Sequence, residues 1–167
     1  MIRPAVIADA RLIAEVIKAA WQTAYTGIVD PAYPPGIDPI KLGEYFTRNI
    51  AEKQEIILVD TEEESGRIVG FISGRKKSEP DHDCEAIGFY LRPEYQGQGR
   101  GRRLFAALSG HFRQEGGQVM LVRTLKGARN NGFYRHLGGM EHLELPVEIG
   151  EKYYDCIGFL FILEYKL

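Results

Sequence analysis

The stretch Phe89-Tyr-Leu-Arg-Pro-Glu-Tyr-Gln-Gly-Gln-Gly-Arg-Gly-Arg-Arg-Leu104 decides how this chain is read. It joins a strand-like segment to a helix through a turn with three alternate glycines, Gly97, Gly99 and Gly101. Arg100, Arg102 and Arg103 crowd the helix start. A helix N-terminus presents unpaired backbone N–H groups and the positive end of the helix dipole, so it favours an anion. Glycines let the backbone approach that anion and take up positive φ without a Cβ clash. Three cations there oppose the dipole and call for an anion among them, a solvated first turn being the alternative. The local chemistry reads as a phosphate or pyrophosphate cradle.

Spacing decides which cradle. A dinucleotide fingerprint needs Gly-x-Gly-x-x-Gly, but counting from Gly97 and Gly99 puts Arg102 where the third glycine belongs. It also needs an acidic residue about 20 positions on, where this chain has Val119-Met-Leu-Val122. A Walker loop needs Gly-Lys-Ser/Thr, which is absent here. What remains is Gln96-x-x-Gly99-x-Gly101 after a strand ending Leu-Arg-Pro. That pattern resembles the coenzyme A loop of the general N-acetyltransferase (GNAT) superfamily.

Bulk properties fit a small soluble enzyme. At 167 residues the chain reads as one domain, residues 1–167. A net charge of −2 leaves no basic excess for nucleic acid. Two cysteines, Cys84 and Cys156, make no disulfide framework, and the four histidines have no metal-ligand spacing. The longest apolar run, Cys156 to Leu163, is too short to span a bilayer. Met1-Ile-Arg-Pro has no secretory apolar region behind it, so the expected location is the cytoplasm. Oligomeric state stays open, a homodimer included.

The pattern predicts strands over 2–7, 55–60, 67–77, 84–91, 118–125, 140–145 and 153–165. Helices are expected after Asp9 as cap, over 41–50, over 102–115 and over 130–137. Val29 to Pro39 carries four prolines and reads as a structured loop. The segment 84–125 is then a β-α-β crossover with parallel strands, and ligands bind beyond the carboxyl ends of such strands. The expected fold is α/β (α+β). It is a single-domain, mixed, mainly antiparallel seven-stranded sheet with helices on both faces and one crossover, an order that also resembles the GNAT fold.

The stretch Asn131-Gly-Phe-Tyr-Arg-His-Leu-Gly-Gly139 strengthens the resemblance. It implies that Tyr134 points its hydroxyl at the coenzyme sulfur and acts as general acid; a tyrosine packing its helix onto the sheet is the plainer alternative. The family's usual pantetheine-contacting asparagine falls where this chain has Gly127 and Ala128, leaving Asn130 or Asn131 to take that contact. The resemblance further implies that Gln96, Gly97, Gln98, Gly99, Arg100, Gly101 and Arg102 hold the pyrophosphate of acetyl-CoA. The Leu91 N–H would bind the thioester carbonyl.

An alkyl ammonium has a pKa near about 10, so a base helps transfer at neutral pH. Glu85 matches the family position of a glutamate acting through water, with Asp83 and His82 behind it; a solvated strand-edge charge is the alternative. Ala20-Trp21-Gln-Thr-Ala-Tyr25-Thr-Gly27 resembles a pattern common in small-molecule acetyltransferases. It implies an acceptor pocket around Trp21, Tyr25, Tyr33 and Phe46, unless these are core aromatics. Two functions follow: an acetyl-CoA-dependent N-acetyltransferase for a small primary amine, or a non-catalytic acyl-CoA-binding module.

Overall fold

Buried apolar runs in the central strands build one sheet with a core on each face. The computed structural model describes residues 1–163, excepting the side chain of Pro35. Its strands are β1 (Ile2–Pro4), β2 (Ile56–Thr61), β3 (Ile68–Lys76), β4 (Cys84–Leu91), β5 (Val119–Leu125), β6 (Met140–Leu143), β7 (Val147–Ile149), β8 (Lys152–Tyr154) and β9 (Cys156–Ile162). Its helices are α1 (Ala10–Ala24), α2 (Pro39–Glu52), α3 (Arg100–Gln114) and α4 (Asn130–His136). Seven strands form one sheet in the order β1-β2-β3-β4-β5-β9-β6. The β4–β5 pair is parallel, and the other pairs are antiparallel. The expected fold forms.

Helices α1 and α2 cover one face, packing Ile13, Val16, Ile17 and Phe46 on Ile57, Val59, Ile68 and Phe71. Helix α3 covers the other, burying Leu104, Phe105, Leu108 and Phe112 among Ile72, Met120 and Phe159, with Tyr134 of α4 alongside. The stripe on α1 follows the 3.6-residue period. Pro39 opens α2, and the Asp38 Oδ1 accepts from the Ile40 N–H at 2.9 Å. Among the described residues no helix is long and apolar enough to cross a membrane.

Three expectations change. Asp9 does not cap α1 through its side chain; it is buried, accepting from Arg3 at 2.6 and 3.0 Å and from the Val6 N–H at 2.8 Å. The charge-assisted bidentate pair outweighs a single cap bond. The segment after β6 also holds a separate hairpin, β7–β8, with Ile149 opposite Lys152 around Gly150-Glu151. The last expected strand therefore divides, Tyr153 and Tyr154 belonging to β8 and Cys156–Ile162 forming β9, while residues 164 and 165 lie outside the described residues.

The feature that positions the site is a split in the sheet. Parallel pairing of β4 with β5 covers Cys84–Ala86 against Met120–Val122 and then stops. Beyond it β4 stays on β3 and β5 stays on β9, so the strands part. A bulge drives the departure. Gly74 pairs with Ala86 but Ser73 with Gly88, leaving Ile87 without a partner on β3. Such an extra residue bends its strand and strengthens its twist.

Candidate active site

The glycine loop sits at the open end of the split. Gly97 and Gly99 take φ of +72° and +75°, and a Cβ at either would meet nothing within 4 Å. These are left-handed conformations facing open space, so the turn needs glycine and leaves a cradle in front of it. Gly99 is the N-cap of α3, and the first helical bond runs from the Arg103 N–H to the Gly99 carbonyl at 3.1 Å. The N–H groups of Arg100, Gly101 and Arg102 have no intrahelical partner. Arg102 and Arg103 are exposed beside them.

The loop's other polar side chains brace it. Gln96 Nε2 donates to the Leu91 carbonyl at 3.2 Å and Gln98 Nε2 to the Glu94 carbonyl at 3.1 Å. Arg100 turns away from the cradle, its Nη1 donating to the buried Asp60 of β2 at 2.8 Å, with the guanidinium 5.4 Å from the Tyr95 ring. Of the three, only Arg100 was expected to reach the anion with its side chain, and here it is paired with Asp60; Gln96 and Gln98 brace the loop that was expected to hold the pyrophosphate.

The cleft between β4 and β5 is lined by Tyr25, Gly88, Tyr90, Arg123, Thr124, Asn130 and Tyr134, among others. Arg92 N–H donates to the Val69 carbonyl at 2.8 Å, which fixes the hydrogen-bonding pairs of the β3–β4 ladder. Leu91 alternates with it, so its N–H points away from β3 toward the side that β5 has left. Tyr134 makes no hydrogen bond that affects its ionisation; burial, then the neighbouring Tyr25, pushes its pKa above the ordinary phenol value. Its hydroxyl is thus a protonated donor in the cleft.

Tyr25 follows α1 as its C-cap and lines the cleft with Tyr90, Thr124 and Asn130, where burial pushes its pKa up. Tyr25 also lines a groove of about 540 Å³ with Lys18, Trp21, Gln22, Pro31 and Pro34. Groove and cleft meet at Tyr25. Trp21 stacks edge-on against Tyr25 at 4.6 Å and against Tyr33 at 5.3 Å. The β7–β8 hairpin pins the proline-rich loop: Lys152 Nζ donates to Asp30 Oδ2 at 2.6 Å and the Asp30 N–H donates to the Tyr154 hydroxyl at 3.1 Å.

A sequence model of the Acetyltransferase (GNAT) family matches residues 14–139, a span that includes α1, the glycine loop and α4. The chain belongs to that family. The N-acetyltransferase YuaI of Bacillus subtilis (strain 168) is 29% identical over 136 residues, covering 80% of this chain and 76% of YuaI. PaiA N-acetyltransferase from Thermoplasma acidophilum, in complex with coenzyme A, superposes with a TM-score of 0.74 at 19% identity. That match covers 95% of this chain and 96% of PaiA. YncA from Salmonella typhimurium, with its cofactor acetyl-CoA, gives 0.72 at 22% identity over 100% of this chain and 95% of YncA. These likenesses show the fold.

Three further site residues of this acetyltransferase differ from expectation. Phe46 is 4% exposed and packs on Phe71 at 5.5 Å in the α1–α2 core, away from the groove. Asn131 is buried with its amide in use, Oδ1 accepting from the Gly127 N–H and Nδ2 donating to the Leu125 carbonyl, both at 3.0 Å. It holds the β5–α4 turn, whereas Asn130 lines the cleft.

Glu85 is the third. It is 1% exposed, with His82 Nε2 at 3.1 Å, Arg123 Nη1 at 3.2 Å, Lys77 Nζ at 3.3 Å and Arg75 Nη2 at 3.4 Å. Burial pushes its pKa up, but the His82 hydrogen bond and the Arg123 and Lys77 charges outweigh that and hold it at about 2. So placed, the carboxylate is a weak base and a strong anchor. In the unfolded chain a glutamate titrates near about 4.3. The stabilisation is therefore complete above that pH and fades as pH falls toward 2. Glu85→Gln is expected to cost roughly 2–3 kcal/mol at pH 7, since it removes a buried carboxylate on which His82 and three partly exposed cations converge. Urea unfolding between pH 7 and pH 3 should show the deficit shrinking, and a constant deficit would contradict the ion-pair role.

Proposed function

We propose that the chain transfers an acetyl group from acetyl-CoA directly to a small primary amine, both substrates being bound together. One observation carries the reading: Tyr134 lines the cleft that opens where β4 leaves β5, the Leu91 N–H and the glycine loop lie at the end of that same strand, and the groove meets the cleft at Tyr25. The open space before Gly97 and Gly99, with unpaired helix N–H groups behind it, fits a pyrophosphate. Arg102 and Arg103 would add charge-assisted contacts. Acetyl-CoA would bring an acetyl thioester, a carbonyl carbon open to attack by an amine.

The residues of this chain divide the remaining work. The Leu91 N–H donates to the carbonyl oxygen as charge gathers there, a donor of the kind worth about 3 kcal/mol in a transition state. Tyr134 donates its hydroxyl proton toward the sulfur. Trp21 and Tyr25 wall the amine, with Tyr33 packed on Trp21, and strip its water, which favours the neutral, nucleophilic form. The low basicity of Glu85 shifts proton removal toward water at the cleft mouth, with Glu85 fixing Arg123 and His82.

The test is thiol release from acetyl-CoA across a panel of primary amines, with initial-velocity lines that intersect. Absence of release with every amine would reject the reading in favour of a coenzyme-binding module. Trp21→Ala is expected to raise the amine KM severalfold while leaving the acetyl-CoA KM within about twofold. Equal movement of both constants would make Trp21 a core residue only.

A further inference from the structure

We infer that the acceptor carries an anionic group about two helical turns from its reacting amine, and that Lys18 holds it. This rests on the proposed acetyl transfer and names the class of acceptor for the same groove. Among the described residues, the charged side chains lining the groove and the cleft are Lys18 and Arg123. No carboxylate lines either. Arg123 is already matched, by Glu144 at 2.7 Å and Glu85 at 3.2 Å.

Lys18 is not. It makes no ion pair among the described residues. The nearby carboxylates are committed elsewhere. Glu15, one turn before it, faces Arg11 at 3.6 Å and Arg92 at 3.9 Å. Asp30, at the base of the proline-rich loop, holds Lys152 at 2.6 Å and accepts from the Ala32 N–H at 2.9 Å. The groove thus keeps one half-buried, uncompensated cation.

Helix periodicity orders the groove. Lys18, Trp21, Gln22 and Tyr25 stand at i, i+3, i+4 and i+7, one stripe on α1. Outward from the cleft they present a phenol, an indole and an ammonium, with Pro31 and Pro34 facing them. Seven residues of helix span about 10 Å. A ligand complementary to that order has an amine, an apolar spacer and an acid. A polyamine would set a second ammonium against Lys18, a like-charge contact that opposes binding.

The experiment compares ω-amino carboxylates, n-alkylamines and α,ω-diamines of about four to eight carbons, lengths that bracket the helical span. The readout is kcat/KM from thiol release. The longest amino carboxylate should exceed its alkylamine by about fivefold or more and its diamine by a wider margin, as expected for one partly desolvated charge pair. The shortest members should show no such advantage. Lys18→Glu, which keeps a good helix former on an open face, should reverse the ranking so that the diamine leads, with the melting temperature reporting that it folds. Equal rates for carboxylate and diamine, or a ranking unmoved by Lys18→Glu, would overturn the inference while leaving acetyl transfer intact. Silence with all three series would overturn both.

Discussion

Tyr134→Phe is expected to lower kcat by about 100-fold while leaving the acetyl-CoA KM near its wild-type value. The ring is well held without its oxygen. It stacks on Phe133 at 5.5 Å and Phe159 at 5.4 Å, with Phe89 at 6.4 Å, so phenylalanine keeps the packing. The hydroxyl makes no protein hydrogen bond that shifts its titration, and its removal strands no buried partner. What is lost is a donor in a desolvated cleft at the place where a thiolate departs. A 100-fold loss corresponds to about 2.7 kcal/mol, the size of one transition-state hydrogen bond. Steady-state kinetics with a melting curve for each protein gives the answer. An unchanged kcat would return Tyr134 to a packing role.

The sheet split would give the two substrates of the proposed reaction separate approaches. The glycine loop lies at the carboxyl end of β4, against the core that α3 makes, as ligand sites of parallel strands do. The groove lies on α1, over the opposite face. A continuous sheet would have sealed one face from the other. Three unpaired residues of β5 and five of β4 open it, and Tyr25 reaches the opening from the groove side. This arrangement suits the proposed ternary complex.

What could be read from the chain was what is local. Gly97 and Gly99 have a backbone need that few other residues meet, so their spacing survives as a signal. The crossover is local too, running unbroken from Cys84 to Leu125. Long-range partners left no such trace. Arg100 looked like its two neighbours, and only Asp60, forty positions earlier, separates it from them. Glu85 looked like a free carboxylate because its cations come from β3, the following loop and β5.

Two misses were recoverable. Leu42, Phe46, Asn49 and Ile50 share one helical face, which buries Phe46 and turns Tyr45 outward. Ile149-Gly150-Glu151-Lys152 is a two-residue turn between short strands, with Gly150 at φ +65°. Bulges are different. Nothing in the β4 sequence marks Ile87 as the extra residue, since its place depends on Ser73 and Gly74 across the ladder.

Gly99→Asp is expected to weaken coenzyme A binding by more than about 100-fold without unfolding the protein. The side chain has room, and the left-handed φ strains it less than it would most residues. A Cβ there meets nothing within 4 Å, and aspartate is among the residues that enter left-handed φ most readily. Its carboxylate would stand before the free N–H groups of the first turn of α3. Those are the donors an incoming pyrophosphate needs. The substitution therefore puts a negative charge where the pyrophosphate would lie and opposes it by like-charge repulsion. Gly99→Asn separates charge from bulk, because it has the same shape without the charge, and should weaken binding only about tenfold. Calorimetric titration of coenzyme A into the three proteins, each with its melting temperature, provides the test. An affinity unchanged in Gly99→Asp, with the fold intact, would move the cofactor away from this helix and take the cradle with it.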